Sequence, residues 1–234
     1  KKSKSYDASV KMGATDKDKW AKQNKNNDDY IYYKLPDTRE GWVLANAHLI
    51  DQHFNQTNPD KKTKLVLDIS DIRPYGAKIH GFGGTASGPM PLVEMLFDVN
   101  KVINARSGKK LSAVDATDIC NLIGKTVVAG NVRRSAELAL GSSSDQDFIK
   151  MKQDKDKLYH HRWASNNSVA INSKFDNYGP IADGIKHNGE PGVVNLELSR
   201  DYGRIIDGYQ PGIDGEVEGT NPCGEISLAN GEPC

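Results

Sequence analysis

Apolar residues recur along this chain with two periods, and each period marks a different kind of element. Trp42, Ala45, Leu49, Ile50 and Phe54 fall three and four residues apart, the spacing of one helical face. Asp37 or Thr38 can cap that helix, with Glu40 reaching back three residues after Asp37, and Asn58-Pro59-Asp60 breaks it. Leu65-Val66-Leu67-Asp68-Ile69 is a short run of the buried-strand kind. A second helix opens at Pro89, with Leu92, Met95, Leu96, Val99, Val102 and Ile103 on one face. A third is capped by Asp115, with Asp118 at its third position; Ile119, Leu122, Ile123 and Val127 form its stripe, and Gly130-Asn131 ends it. Val132 to Leu140 reads as a strand, with Arg134, Ala136, Leu138 and Leu140 on one face. A short helix around Asp145–Met151 follows, and Ser168–Ile171 and Val193–Leu198 are further strands. Strands alternating with helices predict an α/β fold with mostly parallel strands.

The connections are as informative as the elements. Residues 1–30 are polar, with Trp20 the exception, and predict a peripheral segment; residues 31–234 form the body. Ser70 to Gly88 is one long glycine-rich loop between a strand and a helix. Turn-rich linkers run from Asn188 to Gly192 and from Gly208 to Gly219.

Composition narrows the function classes. The chain has 234 residues, 37% hydrophobic and 26% charged, enough for one large domain or two small ones. Lys+Arg and Asp+Glu are both 31, so neither nucleic acid nor an anionic membrane is an expected partner. No apolar run approaches the roughly 20 residues of a membrane span, and no signal peptide is visible. Three cysteines do not make a secreted disulfide framework, so a reducing cytoplasm is expected. A start at Lys1 and a stop at Cys234 suggest a piece of a longer chain.

Several motifs promise more than their context supports. Gly124-Lys125-Thr126 looks like the end of a P-loop, but the required earlier glycine would fall at Ile119 inside a helix. Gly81-Phe82-Gly83-Gly84-Thr85-Ala86 resembles a dinucleotide fingerprint, but lies about eleven residues after its strand. A loop rich in backbone N–H groups at a helix N-terminus can still hold phosphate oxygens, and an ordinary connection explains it equally well. Arg73 can contact a phosphate or a base, or can be a surface arginine held by a carboxylate such as Asp71. Of Arg133 and Arg134, which face opposite ways on a strand, one can point into a site while the other pairs with Glu137 or a helix carboxylate. His160-His161 lacks zinc-site spacing, so no metal site is expected. Cys120, one residue off an apolar stripe, reads as a buried structural thiol.

The last fourteen residues hold the densest chemistry. In Asn221-Pro222-Cys223-Gly224-Glu225-Ile226 a thiol lies two residues from a carboxylate, with an amide side chain two residues before it. Proline before and glycine after Cys223 suit a tight exposed loop tip, although a turn with a buried thiol has the same local pattern. Cys234 follows eleven positions on. A Cys/His/Asn hydrolase with Cys223 as nucleophile is conceivable, but leaves Cys234 without a task.

The run N-P-C-G-E-I-x-L-x(5)-C resembles the active-site loop of ribonucleotide reductases. Further segments resemble the monomeric, adenosylcobalamin-dependent (class II) ribonucleoside-triphosphate reductases in particular. They are Asp37-Thr38-Arg39-Glu40-Gly41-Trp42, Ile72-Arg73-Pro74-Tyr75-Gly76, Gly83-Gly84-Thr85-Ala86-Ser87-Gly88-Pro89, Val128 to Glu137 and His160-His161-Arg162-Trp163-Ala164-Ser165-Asn166-Asn167. The resemblance covers roughly residues 30–234.

It implies a ten-stranded α/β barrel, of which residues 31–234 would be a part incomplete at both ends, with the radical cysteine on an interior finger loop at 221–226. It implies that Cys223 becomes a thiyl radical and abstracts the 3′ hydrogen of the ribose, that Glu225 is the general base on the 3′ hydroxyl, and that Asn221 hydrogen-bonds the ribose. Cys234 would be one member of the redox-active pair; the other, expected on an earlier strand, has no counterpart here, and the chain alone is expected not to turn over. Residues 70–81 match the specificity loop, where Asp71, Arg73, Tyr75 and Lys78 would respond to a dNTP effector. Gly84, Thr85, Ser87 and Arg134 would shape the site or contact substrate phosphates. The implied cofactor is adenosylcobalamin, bound outside this chain, and the implied reductant is thioredoxin or a similar dithiol. The alternatives are a fragment of a class I-type large subunit, which shares the finger loop, and a nucleotide-binding relic without activity.

Overall fold

The computed structural model of the chain describes residues 30–54, 64–81, 83–202 and 208–234. The readings for residues 1–29, for the Asn58-Pro59-Asp60 break and for Phe82 lie outside these residues. The chain divides into two compact units, one made of Lys1–Asp115 with Thr126–Arg134, the other of Ala116–Lys125 with Ser135–Cys234.

In the first unit β1 (Tyr30–Lys34) and β2 (Lys64–Asp68) pair in parallel, with Tyr32 opposite Val66. Helix α1 (Arg39–Phe54) lies between them in sequence and buries Gly41, Ala45, Leu49 and His53, a line of positions four apart. Trp42 and Ile50 are half-buried, so the buried face is turned from the one the apolar residues mark. Close approach explains the turn: a Cβ on Gly41 would lie 2.2 Å from the Pro36 carbonyl oxygen. The N-terminal cap is Thr38, whose Oγ1 accepts the Gly41 N–H at 3.0 Å. Asp37 does not share that task; its carboxylate accepts from Arg73 Nε.

Helix α2 (Met90–Ala105) begins after Pro89 and buries Leu92, Val93, Met95, Val99, Asn100 and Ile103. It meets α1 through a buried contact of 2.9 Å between His53 Nε2 and Asn100 Oδ1. Helix α3 (Ala113–Val127) starts two residues before Asp115. Its cap is Ser112: Ser112 Oγ accepts the Asp115 N–H at 3.2 Å, and the Asp115 carboxylate accepts the Ser112 N–H at 2.8 Å. Asp115 is thus the returning half of a capping box rather than the cap itself.

The second unit is built on a parallel sheet of β3 (Glu137–Ser142), β4 (Ser165–Ile171) and β5 (Gly192–Asn195), in that order. The strand expected from Val132 begins only at Glu137. Gly130 and Asn131 both take positive φ, 85° and 58°, and the chain stays irregular through Ala136. Likewise the strand expected over Val193–Leu198 stops at Asn195. There the Asn195 side chain accepts the Leu198 N–H at 3.1 Å and starts helix α7 (Leu196–Tyr202). Between β3 and β5 lie α4 (Gln146–Lys150), capped by Asp145, then α5 (Lys155–His160) and α6 (Gly179–Asn188). A final antiparallel hairpin pairs β6 (Val217–Thr220) with β7 (Ser227–Ala229).

Strand β4 has two unlike faces. Ser165, Asn167, Val169 and Ile171 are buried, whereas Asn166 is exposed and Ser168 and Ala170 are half-buried. On the buried face Gly141, opposite Val169, admits the ring of Phe148: a Cβ there would lie 2.3 Å from Phe148 Cδ1. On the other face Leu138 and Leu140 stand beside Asn166 and Ser168. The β6–β7 hairpin approaches that face, where a Cβ on Gly219 would meet Leu140 Cδ2 at 4.0 Å. Among the described residues no helix is long and apolar enough to cross a membrane.

Candidate functional site

The loop joining β6 to β7 is Asn221-Pro222-Cys223-Gly224-Glu225-Ile226. Asn221 shapes it from its base. Its N–H donates to the Ile226 carbonyl at 3.0 Å, its carbonyl accepts the Gly224 N–H at 2.9 Å, and its Oδ1 accepts the Ile226 N–H at 3.0 Å. The Asn221 side chain is buried, so this latch is shielded from water. Gly224 takes φ +84°, a conformation that L side chains rarely adopt. The result is a closed turn with Cys223, Gly224, Glu225 and Ile226 exposed at its tip.

Thiol and carboxylate therefore share one constrained tip, with the amide beneath them. Asn221 Oδ1 is committed to the latch, and Nδ2 is the donor that side chain has to offer. Cys223 and Cys234 are both free, exposed thiols. Cys234 follows a turn after β7 in which the Glu232 carboxylate accepts the Ala229 N–H at 2.9 Å. Beneath the tip, Asn166 Nδ2 on β4 donates to the Pro222 carbonyl at 2.8 Å.

A buried ionic cluster lies in the same unit. Arg162 holds Asp118 of α3 through two N–H bonds and donates a third to the Met151 carbonyl. His161 Nε2 lies 2.9 Å from Asp118 Oδ1 but is poorly aligned for a hydrogen bond, so Arg162 is the principal partner. Burial by itself would raise the Asp118 carboxyl; the two bonds and the charge of the Arg162 guanidinium, with His161 beside it, outweigh burial and bring it down to about 2. Asp118, expected only as the third residue of a capped helix, and His161 and Arg162, expected only within a family-like run, turn out to form one ionic cluster. The signal that could have found them is a polar residue among apolar ones in a helix, together with a tandem of His-His-Arg.

In the first unit, the expected loop 70–81 folds back on residues 84–86. Gly76 N–H donates to the Ala86 carbonyl at 2.9 Å, Ala86 N–H to Ala77 at 2.8 Å, and Ile79 N–H to Gly84 at 3.1 Å. Lys78 and Thr85 form an antiparallel bridge, and Gly84 takes φ +85°. Tyr75 is 84% exposed at the bend. Asp71 pairs with Lys34 at 2.8 Å, so the carboxylate that holds Arg73 is Asp37 rather than Asp71. Ser87 is half-buried, and Arg134 is exposed in the irregular segment before β3.

Cys120 corrects its expectation. It is exposed on α3, though partial burial and the neighbouring Glu137 carboxylate push its thiol up. Among the described residues no group of three or more His, Cys, Asp or Glu side chains could hold a metal ion.

The comparisons with known proteins bear on the whole chain. The family described as B12-dependent ribonucleotide reductase, insertion domain, matches residues 1–103. The chain is 86% identical over 234 residues to the adenosylcobalamin-dependent ribonucleoside-triphosphate reductase of Lactobacillus acidophilus, covering 100% of this chain and 32% of that protein. It is 74% identical over 232 residues to the protein of the same name from Lactobacillus leichmannii, covering 99% of this chain and 31% of that one. A crystal structure of a B-12 dependent (class II) ribonucleotide reductase superposes with a TM-score of 0.79 at 75% identity, over 89% of this chain and 28% of that one. The chain thus spans about a third of the length of the curated relatives it matches. Over its whole length, then, the chain is similar to one part of the adenosylcobalamin-dependent ribonucleoside-triphosphate reductases.

Proposed function

We propose that the chain is the central part of a reductase that converts ribonucleoside triphosphates to 2′-deoxyribonucleoside triphosphates for DNA synthesis, under control of dNTP effectors. The observation that carries this is the 86% identity over all 234 residues, which include the tied Cys223–Glu225 tip. Cys223, as a thiyl radical, takes the 3′ hydrogen of the ribose. Glu225 accepts the proton of the 3′ hydroxyl, a task that needs a carboxylate within hydrogen-bond reach. Asn221 donates to the ribose through Nδ2 while its Oδ1 keeps the loop closed. The 2′ hydroxyl leaves as water, Cys234 with a second cysteine supplies the two electrons and the hydrogen that replaces it at C2′ and ends as a disulfide, and Cys223 returns its hydrogen to C3′. A dithiol such as thioredoxin resets that pair by exchange.

Residues 31–234 would then be part of a larger barrel that encloses the tip, since a thiyl radical needs dry, confined surroundings. The loop 70–81 would pass effector identity to the choice of base, with Asp71, Arg73, Tyr75 and Lys78 as its contacts and Gly84, Thr85, Ser87 and Arg134 shaping the site. The proposal includes adenosylcobalamin as cofactor, a cytoplasmic location and a monomeric state. The cofactor's site is placed in parts of the longer protein outside these 234 residues.

The test is Cys223→Ser in the longer protein. Loss of dNTP formation with nucleotide binding retained is expected; undiminished dNTP formation would sink the assignment.

A further inference from the structure

The geometry points to Asn166 as a positioning residue that sets the place of the Cys223 tip, an inference that rests on the radical reading of Cys223. The loop's internal bonds, Asn221 to Ile226 and Gly224 to Asn221, fix its shape. They do not fix where that shape sits. Asn166 does, because its Nδ2 reaches from the central strand of the sheet to the Pro222 carbonyl at 2.8 Å.

That oxygen belongs to the peptide bond leading into Cys223. Proline holds φ on one side of it, and the turn closed at Gly224 holds the other. A donor on the oxygen orients the peptide plane and, with it, the Cα–Cβ direction of Cys223. The hairpin's root is tied separately: Arg200 Nε donates to the Val217 carbonyl at 2.8 Å. Root and tip thus hang from different elements, α7 and β4, and among the described residues this amide is the hydrogen bond that ties the tip to β4.

Residue type and face both fit. Asn166 and Asn167 are neighbours with opposite duties. Asn167 is buried, accepts from Ser165 Oγ at 2.8 Å and donates to Met151 Sδ at 3.2 Å. Asn166 stands on the other face, beside Leu138, where the hairpin lies. An aspartate there would keep the size but present oxygen to the Pro222 oxygen. Hydrogen abstraction depends on placement within a fraction of an ångström, and a shift of about 1 Å can cost roughly a hundredfold in rate.

The experiment uses the longer protein with Asn166→Asp, Asn166→Ala and Cys223→Ser, measuring dNTP formation and hydrogen exchange of peptides covering 221–226 and 192–195. Both Asn166 variants should lower kcat at least tenfold, with KM for the nucleotide within about twofold. Exchange should rise in 221–226 and stay unchanged in 192–195. Unchanged exchange in 221–226 overturns the anchor. Faster exchange there with unchanged kcat, or a rise in KM that accounts for the whole loss, overturns the positioning role. Full activity of Cys223→Ser overturns the radical reading and the positioning role with it, while the exchange data still judge the anchor.

Discussion

Arg162 grips Asp118 with two parallel bonds, Nε to Oδ1 at 2.6 Å and Nη2 to Oδ2 at 2.7 Å, across 44 residues of chain. This forked, buried pair joins α3 to the turn that leads into β4, and it has a pH signature. The Asp118 carboxyl is lowered from 3.8 to about 2 in the folded chain, so on acidification the unfolded chain takes up this proton first. The contribution is full above about pH 4 and is lost as pH falls through 2; it amounts to about 2 kcal/mol. Urea unfolding of wild type and Asp118→Asn between pH 2 and 5 checks it. The variant should be less stable near neutral pH by about 3–5 kcal/mol, because Arg162 is left buried without its charge partner, and should lose this part of the acid slope.

Under the proposed function Asn221 would have two jobs, closing the loop through Oδ1 and donating to the ribose through Nδ2. Asn221→Asp keeps the acceptor for the Ile226 N–H and loses the donor, whereas Asn221→Ala loses both. Loop exchange should stay near wild type in the aspartate variant and rise in the alanine variant, whose unpaired amide costs about 1–3 kcal/mol locally. dNTP formation in the longer protein should fall in both. Full turnover by Asn221→Asp would mean that no donor to the ribose is needed there.

At the start of α1 the two neighbouring polar residues should behave differently. Thr38→Ala removes the cap on Gly41 N–H and should cost about 1 kcal/mol in thermal or urea unfolding. Asp37→Ala should cost less than about 0.5 kcal/mol, since the part-exposed pair with Arg73 is weak. Equal costs would show that Asp37 also supports the helix.

Cys120 should be the slow thiol of this chain despite its exposure. Its thiol is pushed up first by partial burial and then by Glu137, so little thiolate is present at neutral pH. Alkylation followed by mass spectrometry at pH 7.5 should label Cys120 several-fold more slowly than an unstructured cysteine, and Glu137→Gln should narrow the gap. Rapid labelling of Cys120 would contradict this.

What the sequence made legible is what depends on spacing. The face of α2 stands out in Leu92, Met95, Val99 and Ile103, all of them buried. The turn character of the Pro222–Gly224 segment follows from its residue types, and Gly224 takes the positive φ that only glycine takes readily. Illegible were features decided at long range. Whether Asp37 caps a helix or holds an arginine depends on where Arg73 arrives, 36 residues later. The run Val132 to Leu140 alternates like a strand, but the left-handed pair Gly130-Asn131 delays pairing until Glu137 meets Ser165. Asn166-Asn167 gives no sign of which amide serves which face, because that depends on the register of β4.

That register makes β4 intolerant of a change in length. Inserting one residue between Ser165 and Ile171 would exchange its faces downstream of the insertion. Val169 and Ile171 would turn toward the hairpin, Ser168 and Ala170 would turn inward against the side where Phe148 packs, and an insertion before Asn166 would also carry its amide away from Pro222. The turns of 208–216 have no alternation of faces to keep, so a change of length there brings no such reversal. In this unit the count of residues along one strand is therefore as binding a constraint as their identity.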